Sequence, residues 1–592
     1  MSTPQPLLPH PRRGPLGGAW RAGALALTLF SVAGTGLPVL AQESQVYEMS
    51  RLAARKKQFP ADEAALELGA AVYRKRCAFC HGDQGRGDGG AAAFLAPRPR
   101  DFTLGLFKFR STLTGELPTD EDLFRSISRG VTGTAMPAWG ERPFVLPEAQ
   151  RWAVTYHVKQ ISTEDFKNPD FNPYDYLIPM PDAPQCTPQM EEEGKALYAD
   201  ESKGGCIKCH GLEGRGDGAE AGTQIDDWGD PMYPADLSQP WSLRNGTSRR
   251  ELFRSLSTGF NGTPMAGFGE TLNEGQRWAA VCYLQSLMDH PSSLGEVVLS
   301  ARRAANEIPT DPDAPFWNEQ APLSVALAGQ LVTTPRLALP AIDMVTVRAA
   351  YDDDEIAFHF TWNDRFKNVN APAEDRWQLE LEEPGAFVTA REMRGRRGGD
   401  HRDRLEIQFP AKASDGPDKP FFFMGTGSAP VRLWTWSADW NEAPESHGGR
   451  VADERVAKGY RSAPRSLPED EQRLAGRAEY LNGQWRLVLK RPRTTGDKAA
   501  ESGFGTDRLI PFAIHAWEGG NGEEGPLCSI SSWYYVVLVG EIDPMGYAWA
   551  ALGSVLALGL TAGLVRWARA VPSDFLEPRP AMSGPASLRS GA

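Results

Sequence analysis

Cys77-Ala-Phe-Cys80-His81-Gly-Asp-Gln-Gly-Arg-Gly-Asp-Gly recurs later in the chain, with few changes, as Cys206-Ile-Lys-Cys209-His210-Gly-Leu-Glu-Gly-Arg-Gly-Asp-Gly. A methionine, Met136 or Met265, follows each histidine after the same interval of 55 residues. The chain has 592 residues but only 7 cysteines and 9 histidines, so two such long copies at one spacing do not arise by chance. We infer that the chain contains a duplicated unit.

The residue types of the repeat indicate covalent attachment of a haem group. Two thiols separated by two residues can both reach one edge of a porphyrin, and the histidine that follows can bind the iron. The thiols that we expect to attach two c-type haems are those of Cys77, Cys80, Cys206 and Cys209. A four-cysteine zinc site is the alternative, but its two cysteine pairs normally lie about 15 to 20 residues apart.

Each haem iron is expected to have one histidine and one methionine ligand. The methionines lie in loops that follow a helix-ending glycine, and a thioether sulfur in the sixth position raises the reduction potential. The predicted ligand pairs are His81 with Met136 and His210 with Met265. Another histidine, His157, has Cys282 or Tyr283 as its counterpart in the second unit, so we interpret it as a surface or packing residue.

The repeat continues on both sides of the haem motifs. A glycine and a tyrosine four residues apart precede each motif, and a short amphipathic helix and a Gln-Arg-Trp-Ala segment follow it. This order of first helix, haem motif, methionine loop and last helix resembles class I cytochrome c. The resemblance implies two all-α cytochrome c domains, at residues 42–165 and 185–292.

Both ends of the chain carry apolar segments. Positively charged residues precede an apolar run that ends at Ala41, which predicts an export signal at residues 1–41; an uncleaved membrane anchor is the alternative. Near the other end, residues 546–566 are long and apolar enough to cross a membrane as a helix. Arg566 and Arg569 mark its cytoplasmic side, so we expect the body on the periplasmic side of the bacterial inner membrane and residues 567–592 as a cytoplasmic tail.

Three cysteines lie outside the haem motifs. Cys186 precedes the first helix of the second unit and Cys282 lies in its last helix, and these two helices touch in cytochrome c. A disulfide between them suits an oxidising compartment, and two free thiols are the open alternative; Cys528 is then unpaired. The net charge of −13 argues against nucleic acid as a partner.

After a linker rich in Pro and Asp at residues 309–313, the sequence pattern changes from helical to alternating. Two alternating stretches flank the acidic turn Asp352-Asp-Asp354, and another two flank Asn482-Gly483, which is typical of β-hairpins. Further alternating stretches lie at residues 404–409, 431–436, 510–517 and 533–539. The sequence predicts an all-β sandwich at residues 311–541, between the helical units and the membrane helix.

The order of these strands, with the segment Phe422-Phe-Met-Gly425 between them, resembles the haem-binding subunit of ethylbenzene dehydrogenase and its relatives. The resemblance implies one b-type haem held between a methionine and a lysine, and Met424 stands at the methionine position. No lysine lies just ahead of the last strand, where the chain reads Gly525-Pro-Leu-Cys-Ser-Ile-Ser531. Cys528 or His515 can substitute as the ligand. Loss of this haem, which leaves a docking module, is the other alternative.

Relatives of that subunit serve periplasmic or membrane-bound molybdenum enzymes. We therefore expect a membrane-anchored dihaem electron-transfer subunit, not a catalytic one, in nitrate, nitrite or dehydrogenase chemistry. Its expected partners are molybdenum catalytic and iron–sulfur subunits, together with soluble or membrane redox proteins. A dihaem peroxidase is the enzyme alternative, but it needs an iron whose sixth site can open. A haem-based binding or sensor module is the third alternative.

Overall fold

A computed structural model of the protein describes residue 52 and residues 56–226, 229–289, 295–338, 340–370, 377, 387–397, 399–412, 419–494, 503–506, 508–540 and 544–570. The predicted export signal at residues 1–41 and all but the start of the predicted tail at residues 567–592 lie outside the described residues. Within them, the chain forms two helical units, a large sheet and a long C-terminal helix, in that order. The fold class predicted from the sequence is therefore confirmed.

In the described residues, each helical unit has four α-helices in the same order. Those of the first unit are α1 (Glu63–Arg76), α2 (Ala78–His81), α3 (Asp120–Arg129) and α4 (Glu148–Gln160). Those of the second unit are α5 (Pro188–Ala199), α6 (Cys206–His210), α7 (Arg249–Thr258) and α8 (Glu274–Ser286). Both α3 and α7 begin with a capping box, and both end at a glycine with positive φ, Gly130 or Gly259. The short helix predicted after each haem motif is thus present in both units.

The first and last helices of each unit cross in close contact. A Cβ atom on Gly69 of α1 would lie 2.2 Å from the carbonyl oxygen of Ala153 in α4. A Cβ atom on Gly194 of α5 would lie 2.1 Å from the carbonyl oxygen of Ala279 in α8. Any residue larger than glycine would push the helices apart, so these two glycines set the spacing of the helices in their units.

The third helix of each unit packs on the last helix through stacked aromatic rings. The ring centroids of Phe124 and Trp152 lie 4.0 Å apart in the first unit, and those of Phe253 and Trp278 lie 4.1 Å apart in the second. All four side chains are buried. The duplication therefore extends from the haem motifs into the hydrophobic cores.

A buried arginine joins the two helical units. The fully buried guanidinium of Arg110 donates hydrogen bonds to the carbonyl oxygens of Thr258, at 2.6 Å, and Gly259, at 3.3 Å. A second contact is the ion pair of Arg129 with Glu251, the residue that completes the capping box of α7. The first unit thus holds both ends of α7, including the start of the loop that carries Met265.

Fourteen strands lie in the described residues, and all belong to one mixed sheet. They are β1 (Val298–Arg303), β2 (Leu323–Ala326), β3 (Ala328–Gly329), β4 (Met344–Tyr351), β5 (Glu355–Asn363), β6 (Arg404–Pro410), β7 (Val431–Ser437), β8 (Ala452–Ala457), β9 (Arg465–Ser466), β10 (Ala475–Leu481), β11 (Gln484–Pro492), β12 (Leu509–Trp517), β13 (Ser529–Ile530) and β14 (Tyr534–Val539). Two short helices accompany them, α9 (Ala390–Arg396) and α10 (Ala438–Glu442).

The sheet folds over a single core. Its order is β10-β11-β5-β4-β1-β14-β12-β6-β7-β8-β9, with β2 beside β4, the short β13 beside β12, and β3 beside β13. The first half of β12 pairs with β14 and its second half pairs with β6, so this strand connects the two halves of the sheet. Side chains from the two halves meet, for example Phe358 of β5 and Trp434 of β7, whose ring centroids lie 5.7 Å apart. This is the packing of a β-sandwich.

Both predicted hairpins are present, β4–β5 and β10–β11. In the second hairpin, Asn482 and Gly483 have φ angles of 49° and 72°, as a type I′ turn requires. Strand β1 was not predicted from the sequence; it lies ahead of the linker and pairs in parallel with both β4 and β14. The sheet therefore begins before residue 311, where the sequence pattern changes.

The second helical unit contacts the sheet at the end of β5. The amide of Asn363 donates to Asp236, at 2.8 Å, and to the hydroxyl of Ser238, at 2.9 Å. The indole of Trp241 donates to Asp343, at 3.0 Å, just ahead of β4. These contacts place the loop after the second haem motif directly against the sheet.

The last helix, α11 (Pro544–Ala570), overlaps the predicted membrane span at residues 546–566. Its segment Trp549–Trp567 is long and apolar enough to cross a membrane, and none of that segment is buried inside the protein. Length and composition are the basis of this finding.

Cys186 and Cys282 form a disulfide, with their Cα atoms 5.5 Å apart. Of the two alternatives left open by the sequence, the structure has the bridged one. It ties the segment before α5 to α8 and encloses most of the second unit. The bridge closes a loop between residues 96 positions apart, and loops of about this length lose considerable unfolded-state entropy when they are closed.

We expect the double variant Cys186→Ser/Cys282→Ser to lower the free energy of unfolding of the second unit by about 2–5 kcal/mol. Denaturant unfolding of the intact protein, followed by haem-region circular dichroism, measures this change. Cys528→Ser is the control, because it removes a thiol outside the bridge. Equal unfolding midpoints for the wild type with and without a thiol reductant would contradict the expectation.

Candidate haem centres

Each C-x-x-C-H motif forms a single helical turn that follows the first helix of its unit. The turn α2 follows α1 at Cys77, and α6 begins at Cys206. Both turns end at a glycine with positive φ, Gly82 at 76° and Gly211 at 78°. The four cysteines of the motifs are unbridged and half-buried. The turn thus brings both thiols and the histidine of each motif onto one short segment.

The two motif histidines have the same hydrogen bond. Nδ1 of His81 lies 3.2 Å from the carbonyl oxygen of Arg100, and Nδ1 of His210 lies 2.9 Å from that of Ala235. Because a carbonyl oxygen can only accept, Nδ1 carries the proton and Nε2 keeps a lone pair. Burial lowers the pKa of both imidazoles, so the neutral form prevails at neutral pH. A metal-binding histidine typically has this tautomer and this hydrogen bond to a backbone carbonyl oxygen.

A tyrosine fixes each motif from the preceding helix. The hydroxyl of Tyr73 donates to the carbonyl oxygen of Gly82 at 2.8 Å, and that of Tyr198 donates to Gly211 at 2.7 Å. Both tyrosines are buried. The sequence pattern places a tyrosine ahead of each motif but does not reveal this contact. Their recurrence four residues after the crossing glycine was the available signal.

The two methionine loops have the same internal hydrogen bonds. The backbone N–H of Met136 donates to the hydroxyl of Thr134, and that of Met265 donates to the hydroxyl of Thr263, both at 3.2 Å. The carbonyl oxygens of the two methionines also accept from the residue after the helix-ending glycine. Both side chains pack against the core of their own unit, and in the first unit Cys77 packs against the same core. In the first unit, the methionine and the first cysteine of the haem motif thus lie around one core.

His157 lies outside this arrangement. Its ring packs against Tyr73, with centroids 5.2 Å apart, and it occupies the position that Tyr283 takes in the second unit. The interpretation of His157 as a packing residue agrees with this contact. Within the described residues, no group of three or more His, Cys, Asp or Glu side chains is arranged to hold a metal ion, so the structure does not support the zinc alternative there.

Met424, the methionine predicted from the ethylbenzene dehydrogenase resemblance, is fully buried in the sandwich. Its backbone has φ 62°, a rare value for a residue other than glycine, and its N–H donates to the side chain of Gln408 at 2.8 Å. The side chain packs in an apolar cluster that also contains Phe423 and Cys528.

Of the two substitutes for the absent lysine, Cys528 does not have the properties of a haem ligand. Burial raises the pKa of Cys528 well above its ordinary value, which disfavours the thiolate. In His515, Nε2 lies 3.1 Å from the carbonyl oxygen of Phe422, so Nε2 carries the proton and Nδ1 keeps its lone pair. Nδ1 has no hydrogen-bond partner among the described residues, and a carboxylate oxygen of Glu406 lies 3.8 Å from it. His515 is therefore the substitute that could serve as a ligand, and Cys528 is not.

Three family models match the chain. The model described as cytochrome c oxidase, cbb3-type, subunit III matches residues 64–158, and the model described as cytochrome c matches residues 191–288. The model described as ethylbenzene dehydrogenase matches residues 314–466. A comparison with curated proteins found no match.

Solved structures also resemble parts of the chain. A chain of the Kuenenia stuttgartiensis reducing HAO-like protein complex Kustc0457/Kustc0458 is 38% identical, over 39% of this chain and 99% of that chain, with a TM-score of 0.36. A carbohydrate binding module family 9 from Caldicellulosiruptor kristjanssonii, in complex with glucose, is 9% identical, over 42% of this chain and 97% of that chain, with a TM-score of 0.23. The family models match both helical units and part of the sheet, and the chain therefore contains two cytochrome c domains followed by an ethylbenzene dehydrogenase-like domain.

Proposed function

We propose that this protein is the electron-transfer subunit of a respiratory oxidoreductase, held on the periplasmic side of the inner membrane by α11. Two cytochrome c domains imply covalently bound c-type haems. The observation that carries the proposal is that each domain has both a motif histidine whose Nδ1 bonds a backbone carbonyl oxygen and a methionine loop whose methionine packs on the core of that domain. An iron with both axial positions taken transfers electrons without binding a substrate.

The residues of each domain have defined roles in this proposal. A bound c haem supplies a one-electron carrier whose potential is raised by methionine ligation. Nδ1–H bonds to Arg100 and Ala235 orient the imidazoles and keep Nε2 available for iron. The proposed attachment and ligand set is Cys77, Cys80, His81 and Met136 for the first haem, and Cys206, Cys209, His210 and Met265 for the second.

Contacts between the two domains favour electron transfer within the chain. A Cβ atom on Gly133, in the first methionine loop, would lie 3.6 Å from the carbonyl oxygen of Ser242 in the second domain. Phe109 and Phe260 meet edge to face across the same interface, with centroids 5.8 Å apart. The methionine side of the first domain therefore borders the second domain directly. The chain thus holds the two haem domains in van der Waals contact.

We propose that the sheet docks on the partner enzyme and that the chain carries two haems instead of three. The match to the ethylbenzene dehydrogenase model supports a redox enzyme as partner. Molybdenum catalytic and iron–sulfur subunits are the partners that suit this domain. Because no lysine stands ahead of the last strand and burial disfavours the thiolate of Cys528, no electron-transfer step is assigned to a b haem at Met424.

A dihaem peroxidase is the competing function. It requires one iron that loses its sixth ligand to admit peroxide, whereas both methionine loops here have the same hydrogen bonds and the same packing. This equivalence of the two loops favours electron transfer through the two haems, here called the relay, over catalysis at one of them.

The purified protein should contain two c-type haems per chain, both low-spin, and should not consume hydrogen peroxide. A pyridine haemochrome assay gives the count, and absorbance during mixing with peroxide tests reactivity. A high-spin haem that reacts with peroxide would instead establish the enzyme. A b-type signal that disappears in Met424→Ala would show that the sheet holds a third haem.

Met136→Ala and Met265→Ala should each open the sixth site of one haem. We expect a high-spin signal, cyanide binding at that haem, and a potential lower by on the order of 0.1 V, within the roughly 0.8 V that axial ligands span. Redox titration and cyanide binding measure these changes. Met190→Ala is the matched control, since Met190 packs on the same core as Met265 but lies in α5. Unchanged spectra in both loop variants would exclude methionine ligation.

A chain that ends at residue 540 should separate with the soluble fraction, whereas the full chain should require detergent. The physical reason is the removal of the apolar segment Trp549–Trp567. Membrane fractionation followed by haem staining compares the two. If the shortened chain stayed in the membrane with its haems intact, α11 would not be the anchor.

A further inference from the structure

A cavity of about 550 Å³ lies where the second cytochrome c domain meets the sheet. Its floor is formed by β2, β4, β5 and β11, and its walls by Trp241 of the second domain and by Trp317, which follows the linker. This volume is within the usual range of small-molecule sites, roughly 300–1,000 Å³. Neither the relay nor the docking of a partner uses it.

The pairing of the strands places polar side chains on the cavity floor. Thr346, Thr361 and Arg486 are neighbours across β4, β5 and β11, and Arg348 is paired with His359 in the next row. The residues that alternate with them, such as Val347 and Phe360, point into the core of the sandwich. The outer face of this part of the sheet is therefore polar, while its inner face is apolar.

On this floor, the positively charged side chain of Arg348 has no ion-pair or hydrogen-bond partner among the described residues. No hydrogen bond or ion pair joins its guanidinium to another of the described residues, and its Nε is buried. The other cavity arginines are paired, Arg486 with Asp313 at 2.5 Å and Arg215 with Glu213 at 2.5 Å. A half-buried cation without a counterion is costly unless something supplies the negative charge.

His359 adds a hydrogen-bonding group without adding charge. Its Nε2 lies 3.0 Å from the carbonyl oxygen of Pro312, so Nε2 carries the proton and Nδ1 does not. Burial and the nearby Arg348 lower the pKa of His359 to about 4, so the ring is neutral at physiological pH. Trp317 stacks on it with centroids 5.2 Å apart. The ring thus forms a rigid, uncharged wall next to Arg348.

We propose that this cavity binds a small planar oxyanion, such as a carboxylate or nitrate, through the guanidinium of Arg348. A guanidinium matches a planar, two-oxygen anion with two parallel hydrogen bonds. The hydroxyls of Thr346 and Thr361 can donate to the same oxygen atoms. Asp289 and Asp313 also line the cavity, so a single negative charge on the ligand suits the site better than two.

The cavity is coupled to the second haem domain by short contacts. Asn363, which lines it, donates to Asp236 and Ser238. Asp236 is adjacent to Ala235, whose carbonyl oxygen is within 2.9 Å of His210 Nδ1. An anion in the cavity would therefore be connected, through Asn363 and Asp236, to the hydrogen bond between Ala235 and His210. That hydrogen bond orients the proposed histidine ligand of the second haem.

Calorimetric titration of the full chain in low-chloride buffer tests the proposal, with sodium nitrate, sodium acetate and sodium sulfate as probes. We expect nitrate or acetate to bind more tightly than sulfate, and Arg348→Gln to weaken that binding about tenfold or more. Arg477→Gln is the matched control, because Arg477 lies on the same sheet, is exposed and pairs with Glu479. Tighter binding of nitrate than of acetate would indicate an inorganic anion as the natural ligand. Tighter binding of acetate would indicate an organic carboxylate.

Three outcomes overturn the proposal: no binding of either planar anion, tighter binding of sulfate, or wild-type affinity in Arg348→Gln. If Arg348→Gln loses its native haem spectrum, Arg348→Lys replaces it. The lysine variant keeps the charge but loses the paired hydrogen bonds, so it should still bind nitrate or acetate more weakly than the wild type. Equal affinity in the lysine variant would also count against the proposal. Binding is measured without electron transfer, so its failure leaves the proposed relay untouched.

Discussion

In each cytochrome c domain, the first and last helices approach so closely that the crossing point admits only a glycine, Gly69 or Gly194. The tyrosine one turn later is then held at a fixed position. Its hydroxyl donates a hydrogen bond to the carbonyl oxygen of the glycine that ends the haem motif. This bond positions the motif, and the adjacent histidine meets the carbonyl oxygen that sets its tautomer. A loss of the close crossing would therefore propagate to the motif histidine that we propose as the iron ligand, although the two lie on different helices.

The second cytochrome c domain occupies a central position in the molecule. It contacts the first domain through α7 and the sheet through the loop that follows its haem motif. Its motif also reaches the sheet through Arg215, whose guanidinium donates to the carbonyl oxygen of Asn482 at 2.8 Å. In the proposed relay, the second haem is thus the centre that connects the other haem with the domain assigned to docking. The anion cavity lies at the same junction.

The features that could be predicted from the sequence are those that depend on residues close together in the chain. The haem motif, the capped helices and the Asn482-Gly483 turn each depend on residues close together in the chain, and all three were predicted. The carbonyl oxygens of Arg100 and Ala235 were not, because a backbone acceptor has no residue-type signature. Strand β1 was missed because its parallel pairing joins Val298 to Tyr535, far apart in sequence. The cavity combines side chains from the second domain, the linker and three hairpin strands, so no single stretch indicated it.

Arg110 makes the duplicated domains unequal. Its buried guanidinium belongs to the first domain, yet its acceptors are the carbonyl oxygens that end α7 in the second, just ahead of the loop with Met265. Without the first domain, these carbonyl groups would accept hydrogen bonds from water instead. The loop with Met265 would then lose the contacts that hold its start. The second domain is therefore not a module that can be transplanted alone with its iron environment intact. Its redox character belongs to the pair, so evolution can tune one haem through substitutions in the other domain.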